Sequence, residues 1–257
     1  MHKLFEVIFE DDDLLVINKP AGLVCHPTKG DEYSSLISRT RLYLGPEKTP
    51  YMVNRLDRET SGVVMVAKSS EFAGLLGKLW ENRAVIKIYR ALVHGHVEQE
   101  SGVIEAPLGK DETSITHIKD CVRTDGVSAR TEYFVEGRFE RDGQKYSSVR
   151  VQPLTGRKHQ IRIHLQYLGH PIVGDKLYGL NEGFYLAFVK NCLTPEDWRT
   201  LVLPWQALHA AEVRLVLRGE QRIFCAKPEV WFQNFSGSEN DFYLVGQRLI
   251  TRHDANT

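Results

Sequence analysis

One carboxylate set among cations is the most promising chemical feature of this sequence. Asp57 lies within residues 54–62, between Arg55 and Arg58. Two guanidinium groups beside a carboxylate favour its ionised form and attract polyanions. Such a carboxylate can act as a general base or as a nucleophile. The structural alternative is that Asp57 only caps a turn, because Asp, Thr, Ser and Gly are ordinary turn residues.

A second polar cluster lies far downstream, in residues 153–174. Apolar residues at helical spacing, followed by a glycine and a proline, predict a helix over residues 158–168. The amide groups of its first turn would attract a phosphate or a carboxylate. The cations Arg157, Lys158 and Arg162 would add to that attraction, so this segment is a candidate partner for an anion.

Three histidines in the same segment raise the alternative of a metal site. His159, His164 and His170 lack the i, i+4 spacing of a helical zinc site, and no carboxylate lies among them. We therefore predict no metal site. A histidine-dependent metal hydrolase stays as the alternative from another functional class.

The elements that must position these residues follow from the hydrophobic periodicity. Alternation predicts strands at residues 5–18 (a hairpin), 63–67, 85–94, 129–135, 146–151 and 212–217, the last of which would be the final strand. Helical spacing over residues 71–82 predicts a core-facing stripe of Phe72, Leu75, Leu76, Leu79 and Trp80. Within the strand at 85–94, Lys87 and Tyr89 would share one face.

Other parts of the chain are less informative. Residues 98–126 are polar and predict loops and short strands. Residues 184–205 are amphipathic and irregular, and no mechanism follows from them. His209 is predicted to be structural rather than chemical.

Composition excludes some classes of protein. The chain has 257 residues, 42% of them apolar, which can furnish a substantial core. The 33 basic and 33 acidic side chains cancel, so any surface that binds nucleic acid must be local. The four cysteines are scattered and predict reduced thiols, and no apolar run is long enough to span a membrane.

Two long motifs carry a resemblance to a known family. Residues 54–62 (NRLDRETSG) resemble the His-Arg-Leu-Asp-x-x-Thr-Ser-Gly signature of the RluA family of RNA pseudouridine synthases, with Asn54 where His is usual. Residues 155–164 (TGRKHQIRIH) match the second signature of that family in full. Residues 16–27 (VINKPAGLVCHP) and 170–179 (HPIVGDKLYG) resemble the start of its catalytic domain and the continuation of the second signature.

The resemblance implies the fold. We expect an α+β protein with the pseudouridine synthase fold, in which a central mixed, mostly antiparallel sheet carries flanking helices and a catalytic cleft. Residues 1–235 would form this catalytic domain, without the extra N-terminal RNA-binding domain of many members. Residues 236–257 would be a polar C-terminal tail.

The resemblance also implies the chemistry, which is conversion of uridine to pseudouridine within RNA with no metal or organic cofactor. Its catalytic residues would be Asp57, Tyr89 beneath the uracil, and Arg157 paired with Asp57. Its substrate-binding residues would be Arg55, Lys87, Ile161 and Arg162. Asp57 would either add covalently or abstract the 2′ proton of the ribose, and the sequence leaves both routes open.

The implied partner is RNA, with ribosomal RNA favoured over transfer RNA. We expect a cytoplasmic monomer that needs neither a membrane nor an obligatory protein partner. The alternative is a non-catalytic module that keeps the fold for RNA binding or ribosome assembly.

Overall fold

The computed structural model describes residues 4–27 and 34–237. The strands of these ranges are β1 (Glu6–Glu10), β2 (Leu14–Lys19), β3 (Tyr51–Met52), β4 (Ser61–Ala67), β5 (Ile86–His94), β6 (Ser101–Glu105), β7 (Leu108–Lys110), β8 (Asp120–Val122), β9 (Arg130–Arg141), β10 (Gln144–Pro153), β11 (Leu208–Leu217) and β12 (Glu220–Cys225). The helices are α1 (Leu36–Leu44), α2 (Ser70–Glu81), α3 (Gln160–Tyr167), α4 (Gly183–Val189), α5 (Pro195–Leu201) and α6 (Val230–Ser236). Within the described part of the chain, no helix is both long and apolar enough to cross a membrane.

One large sheet organises the molecule. Its strands lie in the order β1-β2-β4-β11-β5-β10-β9-β6, with β3 beside β4 and β12 beside β11, whereas β7 and β8 form a separate hairpin. Strands β4 and β11 are parallel, and the other pairs of the large sheet are antiparallel. The α+β class and the mixed, mostly antiparallel sheet are therefore confirmed.

Strand β4 is buried on both faces, which explains its unbroken apolar run. On one face Val63 and Met65 pack against the α2 residues Phe72 and Leu76. On the other face Val64 belongs to the cluster that holds α1 and the corner before β4. The strand thus carries the Asp57 corner on a rigid support.

The hairpin of β9 and β10 closes with a two-residue turn, because Arg141 pairs with Gln144. Asp142 and Gly143 both have positive φ, at 51° and 73°. This conformation matches the type I′ turn that Asp-Gly favours between twisted antiparallel strands. The turn therefore fixes the register of β10, which leads into the second polar cluster.

Several predicted elements differ from the structure. Leu75 is 40% exposed, because only part of the predicted stripe on α2 can face the sheet. Strand β11 begins at Leu208 and is followed by β12, so residues 212–217 are not the final strand. Residues 184–205 contain α4 and α5. The predicted tail at 236–257 lies almost entirely outside the described residues, so that boundary stays a prediction.

The close approach of β4 and β11 depends on a glycine. Gly62 has a φ of +113°, and a Cβ at this position would lie 2.2 Å from the carbonyl oxygen of Ala210. Only glycine adopts this backbone conformation without strain, and no flexible side chain could move aside.

We expect Gly62→Ala to lower the free energy of unfolding by about 2–4 kcal/mol, since it adds backbone strain to a clash in the central sheet. Denaturant unfolding measures the loss. Gly137→Ala on β9 is the matched control, because a Cβ there meets nothing within 4 Å. Equal effects of the two substitutions would contradict this account of the strand pair.

Candidate active site

A cleft of about 680 Å³ lies where the Asp57 corner, β5 and the start of α3 meet. All seven residues that the sequence analysis singled out line it: Arg55, Asp57, Lys87, Tyr89, Arg157, Ile161 and Arg162. The structure therefore brings together residues from three distant segments of the chain.

Backbone hydrogen bonds shape the corner that presents Asp57. The Asn54 side chain donates from Nδ2 to the Val63 carbonyl at 3.1 Å, and its Oδ1 accepts from the Met65 amide at 2.8 Å. The Thr60 amide donates to the Asp57 carbonyl at 3.2 Å. Asn54 thus joins the corner to β4 through both ends of its amide, although the family signature has His at this position.

A buried lysine supports the corner from behind. The Lys19 ammonium is fully buried and donates to the carbonyls of Pro20, Leu23 and Arg58 at 2.9, 2.8 and 3.1 Å. Burial lowers the pKa of Lys19 to about 8, although the negative charge of Asp57 opposes the shift. One of its three acceptors, the Arg58 carbonyl, belongs to the residue that directly follows Asp57. Lys19 therefore links residues 16–27 to the corner.

An ion pair at the next residue also holds the corner. Glu59 accepts from the Lys176 ammonium at 3.0 Å, and the Lys176 side chain is only 2% exposed. The rings of Phe188, Trp198 and Trp205 surround this ammonium at 4.8–5.7 Å. Residues 184–205, for which the sequence suggested no mechanism, therefore enclose the Lys176 ammonium. Lys176 in turn holds the corner of the candidate site through Glu59.

The most important contact in the cleft is made by Arg162. Its Nη1 donates to Asp57 Oδ2 at 2.8 Å. Its Nε and Nη2 donate to the two oxygens of Asp175 at 2.6 and 2.8 Å. Arg162 also lies over the Tyr178 ring, 4.8 Å from its centre. A bidentate carboxylate on one side fixes the guanidinium so that its remaining nitrogen faces Asp57.

Asp175 is the buried anchor of this arrangement. Its side chain is fully buried, and its Oδ1 accepts from the amides of Leu177 and Tyr178 at 2.9 Å each. Burial by itself would raise the pKa of Asp175, but Arg162 and the two amides lower it. Asp175 therefore stays ionised in the interior.

The charge state of Asp57 follows from its neighbours. Burial by itself would raise the pKa of this carboxyl, but the Arg162 guanidinium and, more weakly, His159 together outweigh burial and lower it. The Asp57 side chain is 32% exposed, and Oδ2 is the oxygen that Arg162 engages. Asp57 is therefore an ionised carboxylate in the cleft at neutral pH.

Arg157 does not make the contact that the sequence analysis expected. Its Nε donates to the Ser128 carbonyl at 3.1 Å, and the residue is exposed at the edge of the cleft. The reason is the helix boundary, because α3 begins at Gln160 rather than at 158. Arg157 precedes the helix, whereas Arg162 lies on its buried face, so the predicted pairing of Arg157 with Asp57 is wrong.

Strand β5 supplies a wall of the cleft next to α3, since Tyr89 packs against the hydrophobic cluster that contains Ile161. Lys87 and Tyr89 both line the cleft, as the strand alternation predicted. Burial, with a further contribution from the negative charge of Asp57, raises the pKa of Tyr89 above its ordinary value. Burial also lowers the pKa of Lys87, helped by Arg83. Tyr89 is therefore a neutral phenol beside a carboxylate.

The three histidines of the second cluster do not form a metal site. His164 contacts the Thr131 hydroxyl and the Ala106 carbonyl, and His170 contacts the His94 carbonyl. Across residues 4–27 and 34–237, no group of three or more His, Cys, Asp or Glu side chains could hold a metal ion.

Sequence reasoning missed most of the supporting residues. Asp175, Lys176 and Tyr178 lie in the segment 170–179, which was noted only as a continuation of the second motif. His159 was considered only as a metal ligand. The run Gly-Asp-Lys-Leu-Tyr-Gly, which follows the cationic helix, could have indicated these residues. An acidic residue in such a run can form an ion pair with an arginine of the helix.

The comparisons with known proteins agree on one protein family. The family model described as RNA pseudouridylate synthase matches residues 13–167. The dual-specificity RNA pseudouridine synthase RluA of Vibrio parahaemolyticus is 42% identical over 181 residues, which are 69% of this chain and 70% of that protein. A solved human structure, RNA Pseudouridylate Synthase Domain Containing 1, superposes with a TM-score of 0.74 at 24% identity, over 98% of this chain and 97% of that one.

Two further relatives differ in the RNA that their names give. The ribosomal large subunit pseudouridine synthase D of Nitrosomonas europaea is 36% identical over 215 residues, or 82% of this chain and 57% of that protein. The mitochondrial tRNA pseudouridine(32) synthase of Saccharomyces cerevisiae is 40% identical over 177 residues, or 69% of this chain and 37% of that protein. The match thus spans little more than half of one relative and about a third of the other.

The pairing of Arg162 with Asp57 predicts how stability depends on pH. In the wild-type protein the pKa of Asp57 lies below its ordinary value of 3.8, so its contribution to stability is present above pH 3.8 and is lost as pH falls further. Without Arg162, the smaller effect of His159 alone opposes burial, and the pKa of Asp57 rises. We expect Arg162→Gln to cost about 3–5 kcal/mol at pH 7, and less at pH 3 to 4.

Carboxyl titration by NMR and denaturant unfolding between pH 3 and pH 7 test this expectation. Arg157→Gln is the matched control, because Arg157 binds the Ser128 carbonyl rather than a carboxylate. An unchanged pKa of Asp57 in Arg162→Gln would show that the ion pair does not govern this carboxyl.

Proposed function

Because the chain belongs to the RNA pseudouridylate synthase family, we propose that it converts uridine to pseudouridine in structured RNA with Asp57 as its catalytic carboxylate. The observation that carries this proposal is the ion pair of Asp57 with the internally anchored Arg162. Among the described residues, no cation binds the other oxygen of this ionised carboxylate in the cleft.

The reaction suits such a site because it needs no external group. The bond between ribose C1′ and uracil N1 breaks, the base rotates, and C1′ bonds to C5. The proton on C5 then leaves, and N1 gains one. Atoms and electrons therefore balance without a cofactor, and we propose none. Asp57 either bonds covalently to the nucleotide or removes the 2′ proton, and Arg162 keeps it charged for either route.

Tyr89 is proposed to lie against the uracil. Its pKa is raised by burial and by Asp57, so the phenol keeps its proton at neutral pH. A neutral aromatic ring offers a stacking surface for a base, and its hydroxyl could transfer the C5 proton in the last step. Ile161, which is 7% exposed, adds an apolar contact at the same wall.

The cleft must receive a nucleotide that has left its stack. Its volume of about 680 Å³ lies within the range of small-ligand pockets, about 300–1,000 Å³. Extruding a base costs a few kcal/mol, and the cost is lowest in loops. We propose that exposed Arg55 fills the vacated stack, and that Lys87 and Arg157 contact the neighbouring RNA.

We propose ribosomal RNA as the target, with transfer RNA as the alternative. The names of the relatives support both classes, since one acts on the large ribosomal subunit and another on tRNA. We further propose that the protein acts in the cytoplasm as a monomer, without an obligatory protein partner.

The decisive substitution is Asp57→Asn. We expect it to reduce pseudouridine formation by about 10³-fold or more, because the amide can neither accept the proton nor act as a nucleophile. RNA binding should survive, since the amide is nearly isosteric with the carboxylate. Pseudouridine mapping of total RNA from a strain that lacks the protein, complemented with each variant, gives the measurement.

Asp142→Asn is the matched control, because Asp142 lies in the exposed β9–β10 turn and Asn suits its positive φ. It should restore the full map. The site that disappears in the deletion strain also identifies the target RNA. Identical maps from wild-type and deletion strains would favour the non-catalytic module instead.

A further inference from the structure

His159 holds an unusual position at the start of α3. Its φ is 54° and its ψ is 15°, a left-handed conformation that costs a non-glycine residue about 1–3 kcal/mol. The neighbouring Gln160 fixes this turn, because its Oε1 accepts from the Thr155 hydroxyl and the Arg157 amide while its Nε2 donates to β9. The strained backbone turns the imidazole of His159 into the cleft.

Tyr178 determines which ring nitrogen of His159 carries the proton. The Asp120 amide donates to Tyr178 Oη at 3.1 Å, and the second contact of Oη is His159 Nδ1 at 2.9 Å. In the described part of the chain these are the two polar partners of Oη. The phenol hydrogen is satisfied only if Tyr178 donates to Nδ1, which leaves the hydrogen of the imidazole on Nε2.

The other side of the ring faces Asp57. Nε2 lies 3.9 Å from Asp57 Oδ1, which is too long for a direct hydrogen bond. Burial, together with the Arg162 guanidinium, lowers the pKa of His159 to about 4. The ring is therefore neutral at physiological pH, with an N–H next to a carboxylate oxygen. Because the separation of 3.9 Å is less than two hydrogen-bond lengths of about 2.8 Å, a single oxygen atom can contact both atoms at once.

We propose that His159 binds the ribose of the target nucleotide, with its Nε2–H donating to the 2′-hydroxyl while that hydroxyl donates to Asp57 Oδ1. The inference rests on the proposed function and assigns a positioning contact to the same cleft. The family signature alone assigns no role to His159. The proposed contact pairs His159 with one defined atom of the substrate.

The chemistry of the nucleotide selects the 2′-hydroxyl. The bridging group must accept from an N–H and donate to a carboxylate. Uracil carbonyls and the ring oxygen of ribose only accept, uracil N3–H only donates, and a phosphate would be repelled by Asp57. The 2′-hydroxyl does both and is attached to the carbon next to C1′, where the reaction takes place. The same contact would distinguish RNA from DNA.

The tautomer can be tested in the free protein. Nitrogen-15 NMR of the imidazole should show His159 as the neutral Nε2–H form across pH 6 to 8. Tyr178→Phe removes the donor to Nδ1 but keeps the ring over Arg162, so we expect a mixture of tautomers. A wild-type Nδ1–H form would overturn the proposal, whatever activity the enzyme has.

The ribose contact can be tested by kinetics with matched variants. His159→Gln keeps an amide donor near the position of Nε2, whereas His159→Leu carries the same backbone strain without a donor. The probe is a stem-loop RNA containing the mapped uridine, made with ribose or 2′-deoxyribose at that nucleotide only. We expect 2′-deoxyribose to reduce kcat/KM about tenfold more in wild type than in His159→Leu.

His159→Gln should recover part of that difference. Equal effects of 2′-deoxyribose in wild type and His159→Leu would overturn the ribose contact while leaving the proposed function intact. Failure of the wild-type enzyme to form pseudouridine in the ribose probe would instead count against the proposed function. The NMR result then still decides whether the Nε2–H donor exists.

Discussion

The site depends on one guanidinium shared between two carboxylates. Arg162 gives two of its nitrogens to the buried Asp175 and a third to Asp57. Two negative charges around one cation leave an excess negative charge. The pKa of Asp57 nevertheless remains low, because the attraction of Arg162 and His159 together exceeds the cost of burial and the repulsion from Asp175. Asp175 can tolerate its own burial because two backbone amides bind it.

The position of Asp57 is fixed by the same kind of long-range contact. Lys19 and Lys176 are buried ammonium groups, and each binds an atom of the corner, the Arg58 carbonyl in one case and the Glu59 carboxylate in the other. Each contact joins residues that are distant in the chain. A corner held from both sides can present a carboxylate without rearranging during the reaction.

Two residues that support the site lie in a different part of the sequence from the residues that would react. The family match ends at residue 167, whereas Asp175 and Tyr178 lie beyond it. These two residues orient Arg162 and His159 from outside the matched region. The orientation of these two cleft residues is therefore set by side chains that do not themselves line the cleft.

The sequence by itself determined the mixed, mostly antiparallel sheet, most strand positions, the resemblance to a family and seven of the residues that line the cleft. Local periodicity is encoded in neighbouring residues, so β4 could be predicted directly. The pairing of Asp57 with Arg162 rather than Arg157 could not be predicted in this way. Both arginines are cations of one motif and differ only in their position relative to the start of α3. Only the tertiary structure decided it, since a salt bridge between distant segments depends on where each side chain points after the helix has packed against the sheet.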